Sequence, residues 1–389
     1  MSLALPAVPP PAPADHPWRD RLVAAVFCIA IVLPAVALVW TGSRTVTRFE
    51  NRPTAAWPGV ALTRDFPQAF ERAFADRFGA RDELVVLHHA GLLALFGVSS
   101  LANVLAAGNG WFFWLGEDGK SLARHYRGTL PFPQADIAGT VAELERRRAW
   151  LASLGIAYVV MVVPEKFTIY PERLPAWIAK AAGPTPHDRL VTALAAHPEL
   201  AFVDLRAALT AAKSRELVYY KTDSHWNYNG AVVGYEALMA AVRKALPDKA
   251  GTVVPAPRPA FNPGVDYYRG DLVNMLGRPP RVREDDVAPL GKVLGEAASR
   301  CARRIDKNEY PGFEFYACDK PGLPRAIVLR DSMAIPLIPL LSENFSRVVY
   351  VSSRKLDRAL VLREKPDIVI EELVERSMHA PGALPMDPP

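Results

Sequence analysis

The sequence predicts an α/β fold: a mostly parallel sheet covered by helices on both faces, with one apolar segment ahead of it. Three observations predict this. Short continuous apolar runs such as Ala157–Val163 (AYVVMVV) have the character of strands buried on both faces. Amphipathic helical stretches separate these runs, as parallel strands require. Half of the 389 residues are apolar and 22% are charged, so a large core is available and bulk disorder is excluded.

The elements follow in chain order. Six of the 36 prolines fall in the first 17 residues and four in the last nine. Residues 1–21 and 379–389 are therefore expected to be disordered tails. Leu22–Trp40 is 19 residues without a charge, and a helix needs roughly 20 to cross a bilayer. Residues 22–41 are expected to be a transmembrane anchor, with Trp18 and Trp40 near the two interfaces. A cleaved signal peptide is the alternative. Arg19 and Arg21 would be its charged start, Leu22–Leu33 its apolar core and Ala35-Val36-Ala37 its cleavage site. A buried core helix is a third reading. Arg44, Arg48 and Arg52 follow the segment, so flanking charge does not set an orientation. Cys28 lies inside it and is expected to pack there.

Residues 42–110 are expected to be a helical neck. Phe66, Phe70, Phe74 and Phe78 recur at i+4, and Leu84, Leu87 and Leu92 continue an apolar face suited to packing on the main domain. His88 and His89 are adjacent, so on a helix they point about 100° apart and cannot chelate one metal. Gly108-Asn109-Gly110 is expected to be a turn.

Residues 111–378 carry the alternation. Ile137, Val141, Leu144, Leu151 and Leu154 share a helical face that Gly155 ends. The AYVVMVV strand follows, then a short strand at Phe202–Leu205. Val232, Tyr235, Leu238, Met239, Val242 and Leu246 mark another amphipathic helix. Ala326–Leu329, Val348–Val351 and Asp367–Ile370 are three further strands. Reactive groups in such sheets gather at the carboxyl ends of the strands.

Composition excludes several functions. The net charge of +5 is diffuse and no short basic run accompanies it, so nucleic acid is not an expected partner. Three cysteines exclude a disulfide scaffold and a four-cysteine zinc site. There is no P-loop and no HExxH, so no cofactor and no metal are expected.

Two segments carry chemistry. In Thr222-Asp223-Ser224-His225-Trp226, an extended backbone would put Asp223 and His225 on one side. The carboxylate would then orient the imidazole and stabilise its charged form. The competing readings are a helix cap at Asp223 or Ser224 and an Asp-x-His metal pair lacking a third ligand. In Arg330-Asp331-Ser332-Met333, Ser332 sits between a strand and a helix-like stretch. There a nucleophile is exposed and free backbone N–H groups can hold an oxyanion. No GxSxG is present, and a plain cap at Asp331 or Ser332 competes. Together the two segments supply nucleophile, base and orienting acid.

With these residues the chain resembles the alginate O-acetyltransferase family of AlgJ and AlgX type. The matching segments are Glu50-Asn51-Arg52-Pro53, Asp76–Arg81, Gly110–Phe113, Val163–Lys166 through Tyr170–Pro175, and Thr222–Asn227. Gly270-Asp271-Leu272, Arg330–Ser332, and Lys365–Asp367 through Val374–Arg376 match as well. They keep the family's order over residues ~48–378. The resemblance implies an SGNH-hydrolase-like three-layer α/β/α domain. It places the family's triad on Ser332, His225 and Asp223, with Asp-x-His before the serine. Met333 departs from the aromatic common after that serine. The absence of a following carbohydrate-binding module favours the membrane-anchored AlgJ form.

The resemblance also implies a periplasmic domain at the inner membrane that transfers acetyl to an exopolysaccharide. The acetyl would come from a separate multi-span membrane acyltransferase. Export would let Cys301 and Cys318 form a disulfide. Asn227 is expected to brace the histidine loop or the oxyanion. Arg330 is expected to hold a substrate carboxylate, or else to pair with Asp331 or a neighbouring acid. Lys166 and Tyr170 are expected to line a sugar groove, or to make ordinary loop contacts. Trp111–Trp114 and Tyr219-Tyr220 suit the core better than a sugar platform. An acetylesterase and a non-catalytic scaffold of a polysaccharide export complex are the alternative functions.

Overall fold

The computed structural model describes residues 17–41, 53–59, 63–129, 134–178, 184–255, 270–279, 282, 284, 301–305 and 312–379. Of the expected tails at 1–21 and 379–389, residues 1–16 and 380–389 lie outside the described residues, as does the Glu50-Asn51-Arg52 motif, whereas residues 17–21 begin a helix and His379 ends a 3-10 turn. The chain divides into two compact units at His88/His89.

In the first unit, helix α1 (Pro17–Thr41) runs through the apolar segment and contains Pro34. Leu22, Val26, Phe27, Ile29 and Leu33 on it are exposed. Among the described residues no helix is long and apolar enough to cross a membrane. The first part of α1, 17–34, still includes Arg19, Asp20 and Arg21. Helix α2 (Phe66–Arg77) starts with a proline at its first turn, where the missing N–H costs nothing. Its i+4 phenylalanines form a ladder: Phe66, Phe70 and Phe74 stack at ring distances near 6 Å, and Phe78 caps them edge-on. Helix α3 (Arg81–Phe96) carries the adjacent histidines. His88 is exposed, and His89 is buried with its ring against the Ser100 hydroxyl.

The second unit begins within α3, at His89, and continues into a hairpin of β1 (Val104–Ala106) and β2 (Phe112–Trp114). Gly108-Asn109-Gly110 is its turn, all three at positive φ. Asn tolerates that region better than most residues, and Gly adopts it at no cost. The remaining helices are α4 (Ser121–Tyr126), α5 (Gln134–Ser153), α6 (Lys166–Ile169), α7 (Pro186–Leu194), α8 (Arg206–Lys213), α9 (Tyr228–Ala245), α10 (Asp271–Met275), α11 (Ile338–Ser342) and α12 (Arg358–Glu364). The main sheet comprises β3 (Ala157–Val163), β4 (Ala201–Asp204), β5 (Arg303–Arg304), β6 (Phe313–Ala317), β7 (Arg325–Leu329), β8 (Arg347–Val351) and β9 (Ile368–Val374).

The seven strands lie in the order β4-β3-β9-β7-β8-β6-β5. The first five are mutually parallel. β6 and β5 add antiparallel edges. The sheet is thus mixed, as an SGNH-like α/β fold allows. Alternation along β3 splits the core. Val159, Met161 and Val163 face a layer holding Leu209 of α8, Tyr235 and Leu238 of α9, and Leu340 of α11. Tyr158, Val160 and Val162 face Leu144 of α5, Leu190 of α7 and Leu360 of α12. Both faces of the sheet are covered, which gives three layers.

The structure changes one strand most. The sequence places the last strand at Asp367–Ile370, whereas β9 continues to Val374 with Glu371 and Glu372 fully inside. Glu371 is buried because Arg147 of α5 reaches it at 2.6 Å and the Tyr158 hydroxyl donates to it. A buried carboxylate needs such partners. Cys301 and Cys318 form a disulfide, with Cα atoms 5.0 Å apart, that ties the start of β5 to the end of β6.

The disulfide closes a loop with a sequence separation of 17, which by loop entropy stabilises the fold by about 3 kcal/mol. Replacing both cysteines by serine is expected to lower the unfolding free energy by that order in a urea titration. An unchanged midpoint and slope would show that the closure contributes nothing.

Candidate functional site

Three strand ends converge at the carboxyl edge of the sheet. β7 ends at Leu329 and leads through Arg330 and Asp331 to Ser332, the first residue of a 3-10 helix over Ser332–Leu337. Asp331 caps that helix: one carboxylate oxygen accepts from the Met333 N–H at 2.8 Å. Its other oxygen accepts from the Val374 N–H at 2.7 Å, and its own N–H donates to Glu372 at 3.1 Å. The turn is thereby tied to β9 from two sides. Asp331 acts as a cap, as one competing reading held, and leaves the Ser332 side chain free to point outward. Ser332 is exposed, and as a first helical residue it presents a backbone N–H without an intrahelical acceptor.

The second segment is a turn, not an extended strand. The Tyr220 N–H donates to the His225 carbonyl at 3.3 Å, and the Asn227 N–H to Val218 at 3.1 Å. Within it, Asp223 makes an Asx turn. Oδ1 accepts the His225 backbone N–H at 2.9 Å and lies 2.6 Å from His225 Nδ1. The i, i+2 spacing works because an aspartate side chain reaches the backbone two residues on. The imidazole of the same residue then meets the same oxygen. His225 Nε2 lies 2.9 Å from Ser332 Oγ. Asp223, His225 and Ser332 thus form a continuous hydrogen-bonded chain, its His225–Ser332 link joining residues 107 positions apart.

Neighbours fix this turn. Trp226 is fully buried, and its indole N–H donates to the Met333 carbonyl at 2.9 Å, linking the histidine turn to the serine turn. Its ring lies over Gly234, where a Cβ would come within 2.6 Å. Asp223 is gripped through Oδ2 by the Asp271 N–H at 2.8 Å. Gly270 presses on it so closely that a Cβ would meet Asp223 Cα at 2.5 Å, so that position requires glycine. Thr222 donates through its N–H and hydroxyl to buried Glu284.

The structure relocates several sequence expectations. Asn227, not Asp223 or Ser224, caps α9: its side chain accepts the Gly230 N–H and donates to the Leu217 carbonyl. It is buried and braces the histidine turn, and does not face the oxyanion. Arg330 does not reach for a substrate carboxylate; its guanidinium donates to Glu314 of β6. Lys166 and Tyr170 do not line a groove, because both side chains are 2% exposed and point inward. The Tyr170 hydroxyl accepts the Val218 N–H, and the Lys166 ammonium donates to Tyr220, Lys221 and Asp223 carbonyls. Trp111, Phe112, Phe113, Tyr219 and Tyr220 are core residues.

Sequence reasoning missed Asp271 as a site residue. Its Oδ2 lies 3.6 Å from His225 Nδ1 and accepts the Ser224 hydroxyl. Burial and the Asp223 charge raise its pKa. The only signal was the Gly270-Asp271-Leu272 match. Arg376 was likewise missed; it pairs with Glu165 at 2.6 Å, and its charge bears on His225, Asp271 and Asp331.

Asp223, His225 and Asp271 offer ligand atoms within 4.8 Å of one another, which supplies the third metal ligand the sequence lacked. The spacing does not suit a metal. Tetrahedral ligands at about 2.0–2.2 Å from an ion stand more than 3 Å apart, whereas Nδ1 and Oδ1 are 2.6 Å apart. That is a distance for sharing a proton. The arrangement can deprotonate Ser332 through His225 and hold the resulting imidazolium beside Asp223.

Over residues 104–292 the chain matches the family described as "SGNH hydrolase-like domain, acetyltransferase AlgX". This stretch holds Asp223, His225 and Asp271, and Ser332 lies beyond it. The chain is 31% identical over 145 residues to a probable alginate O-acetylase AlgJ of Pseudomonas putida, covering 34% of each chain. It is 28% identical over 181 residues to the AlgJ of Pseudomonas aeruginosa, covering 45% of this chain and 42% of that one. The alignments span well under half the length of these curated relatives. Among solved structures, Bacillus cereus PatB1 with a sulfonyl adduct matches with a TM-score of 0.50 at 13% identity, over 71% of this chain and 97% of that one. The O-acetyltransferase domain of P. putida AlgJ matches with a TM-score of 0.43 at 21% identity, over 69% and 90%. The chain resembles the AlgJ/AlgX acetyltransferase family, and its domain is SGNH-like.

Burial lowers the pKa of His225, but the Asp223 hydrogen bond and the charges of Asp223 and Asp271 outweigh this and raise it above 6.5. A base must be neutral, so turnover should rise as pH climbs through this value. The acid limb of kcat/KM for an acetyl ester is expected above about pH 6.5. Asp223→Asn removes the adjacent charge and should move the limb down. A limb at or below 6.5 that Asp223→Asn leaves in place would contradict the assignment.

Proposed function

We propose that this chain is an O-acetyltransferase that carries acetyl on Ser332 and passes it to hydroxyls of an exopolysaccharide. The observation that carries the reading is the hydrogen-bonded chain from Asp223 Oδ1 to His225 to Ser332 Oγ, with links of 2.6 and 2.9 Å. It sits at the strand ends of a fold that resembles acetyltransferases.

His225 takes the Ser332 proton as Oγ attacks the donor carbonyl. The tetrahedral oxyanion is met by the Ser332 backbone N–H at the start of the 3-10 helix. The donor's leaving group receives the proton from His225, and Ser332 keeps the acetyl. His225 then takes the proton of a sugar hydroxyl, which attacks the acetyl carbon and releases Ser332 protonated. Asp223 holds the imidazole in one tautomer throughout and offsets its charge.

The acceptor we propose is alginate-like or another exopolysaccharide, since relatives are described as alginate O-acetylases. We place the domain in the periplasm, held at the inner membrane by residues 22–41. Support for that anchor is the uncharged run Leu22–Trp40 within one helix on which Leu22, Val26, Phe27, Ile29 and Leu33 are exposed. Acetyl would arrive from a separate multi-span membrane acyltransferase. Ser332 is open to solvent, which favours acetyl ester hydrolysis as the second reading, because water needs the same residues.

The test is turnover of a chromogenic acetyl ester by the detergent-solubilised chain with an added oligosaccharide. Ser332→Ala is expected to reduce turnover on the order of 10⁴-fold or more, and mass spectrometry should find acetylated sugar with the wild type. Acetyl going only to water with every acceptor would favour the esterase. A mutant equal to wild type would remove Ser332 from the mechanism and favour the scaffold.

A further inference from the structure

Lys166 stands where β3 ends and α6 begins, and its position is unusual for a lysine. It is 2% exposed. Its ammonium has three N–H donors, and all three are used on backbone carbonyls of one turn. It donates to Tyr220 at 3.0 Å, Lys221 at 3.2 Å and Asp223 at 2.5 Å. The rings of Phe113 and Trp111 close over it at 5.1 and 5.9 Å. Among the described residues no carboxylate lies within ion-pair distance of it. Asp223, Glu284, Asp271 and Glu165 bear on it from farther away.

Burying an ammonium is costly, and a stable core does not call for one. What it achieves here is local. The turn bends so tightly that three carbonyls face inward together, and a triple donor satisfies them at one point. One of those carbonyls belongs to Asp223 itself, whose Oδ1 holds both the backbone N–H and Nδ1 of His225. The ammonium therefore links the rigid end of β3 to the residue that aims the base.

We propose that Lys166 is a positioning residue for acyl transfer: its ammonium pins the 220–223 turn and so sets where Asp223 presents its carboxylate to His225. This rests on the acyl-transfer reading above. It replaces a role in a sugar groove with one beneath the site. Lys166 touches no reacting atom.

The test uses the detergent-solubilised full chain and two readouts, ester turnover and the low-field proton resonance of the Asp223–His225 hydrogen bond. Lys166→Met keeps the length and removes the donors. For a folded variant, kcat is expected to fall about 100-fold, the size of effect a misplacement near 1 Å produces, with KM within about twofold. The resonance is expected to shift or vanish. A folded Lys166→Met with kcat within about threefold of wild type and an unmoved resonance would overturn the proposal.

Should Lys166→Met fail to fold, the wild type supplies the second measurement. Burial brings the Lys166 pKa down to about 8. A neutral amine has two N–H groups for three carbonyls, so one carbonyl is released. Both kcat and the resonance should then decline together and reversibly above about pH 8 while the far-ultraviolet dichroism stays constant. A kcat that stays flat across the pH range in which the Lys166 Nζ nitrogen resonance shows the ammonium losing its proton, in a folded chain, would overturn the proposal. If wild type turns over no acetyl ester, the acyl-transfer reading fails, and the resonance alone decides the role of Lys166.

Discussion

The structure depends most on one hydrogen bond, the 2.6 Å link between Asp223 Oδ1 and His225 Nδ1. Two residues apart in a tight turn, they would drift without outside support, since turns lie on the surface and are mobile. Here every side of the turn is held. Asp271 grips Asp223 Oδ2 and Gly270 abuts its backbone. Glu284 holds Thr222, and Lys166 holds the carbonyls. Trp226 ties the turn to Met333, next to the serine. The contacts come from the first residue of α6, from α10 and the glycine before it, from Glu284 and from the β7 exit, so the fold is organised around keeping one imidazole in place.

The same edge of the sheet stores an uncommon amount of buried charge. Glu371, Glu372 and Glu375 lie in or just past β9, and Glu165 follows β3. Arg147 neutralises Glu371, and Arg376 pairs with Glu165. Burial and the Asp331 charge push the pKa of Glu372 well up, although it accepts the Asp331 N–H. Such groups cost stability when a hydrophobic residue would serve. The hydrogen bonds of Glu372 to the Asp331 N–H and of Glu375 to the Glu165 N–H instead fix the turn before Ser332 and the turn before Lys166. We read them as rigidity placed where reacting groups must not move, the arrangement a preorganised site demands.

Much of this was legible in the sequence. The strands β3, β7 and β8 are short apolar runs and announce themselves. The second half of β9 was hidden because its partners, Arg147 and Asp331, come from far along the chain. β6 was hidden because Glu314 interrupts a short strand, next to the β5 edge, that is only half-buried over most of its length. Ser332, His225 and Asp223 could be singled out because each carries recognisable local chemistry. Asp271 could not, since nothing local shows that a residue 48 positions away will hold Asp223. Lys166 stands at a strand end, and of its two readings the structure has the loop contact and not the sugar groove. Its direction is set by the carbonyls of a turn 54 to 57 residues later, and a lysine beside a strand end ordinarily points to water.

The proposed transfer requires acetyl to rest covalently on Ser332. The most direct measurement exposes the full chain to an acetyl ester without sugar acceptor, quenches in acid and maps peptides by mass. One acetyl group is expected on the peptide containing Ser332, lost again when oligosaccharide is added before the quench. Ester turnover with no acetyl on that peptide, or with acetyl held stably on another residue, would contradict the proposed transfer.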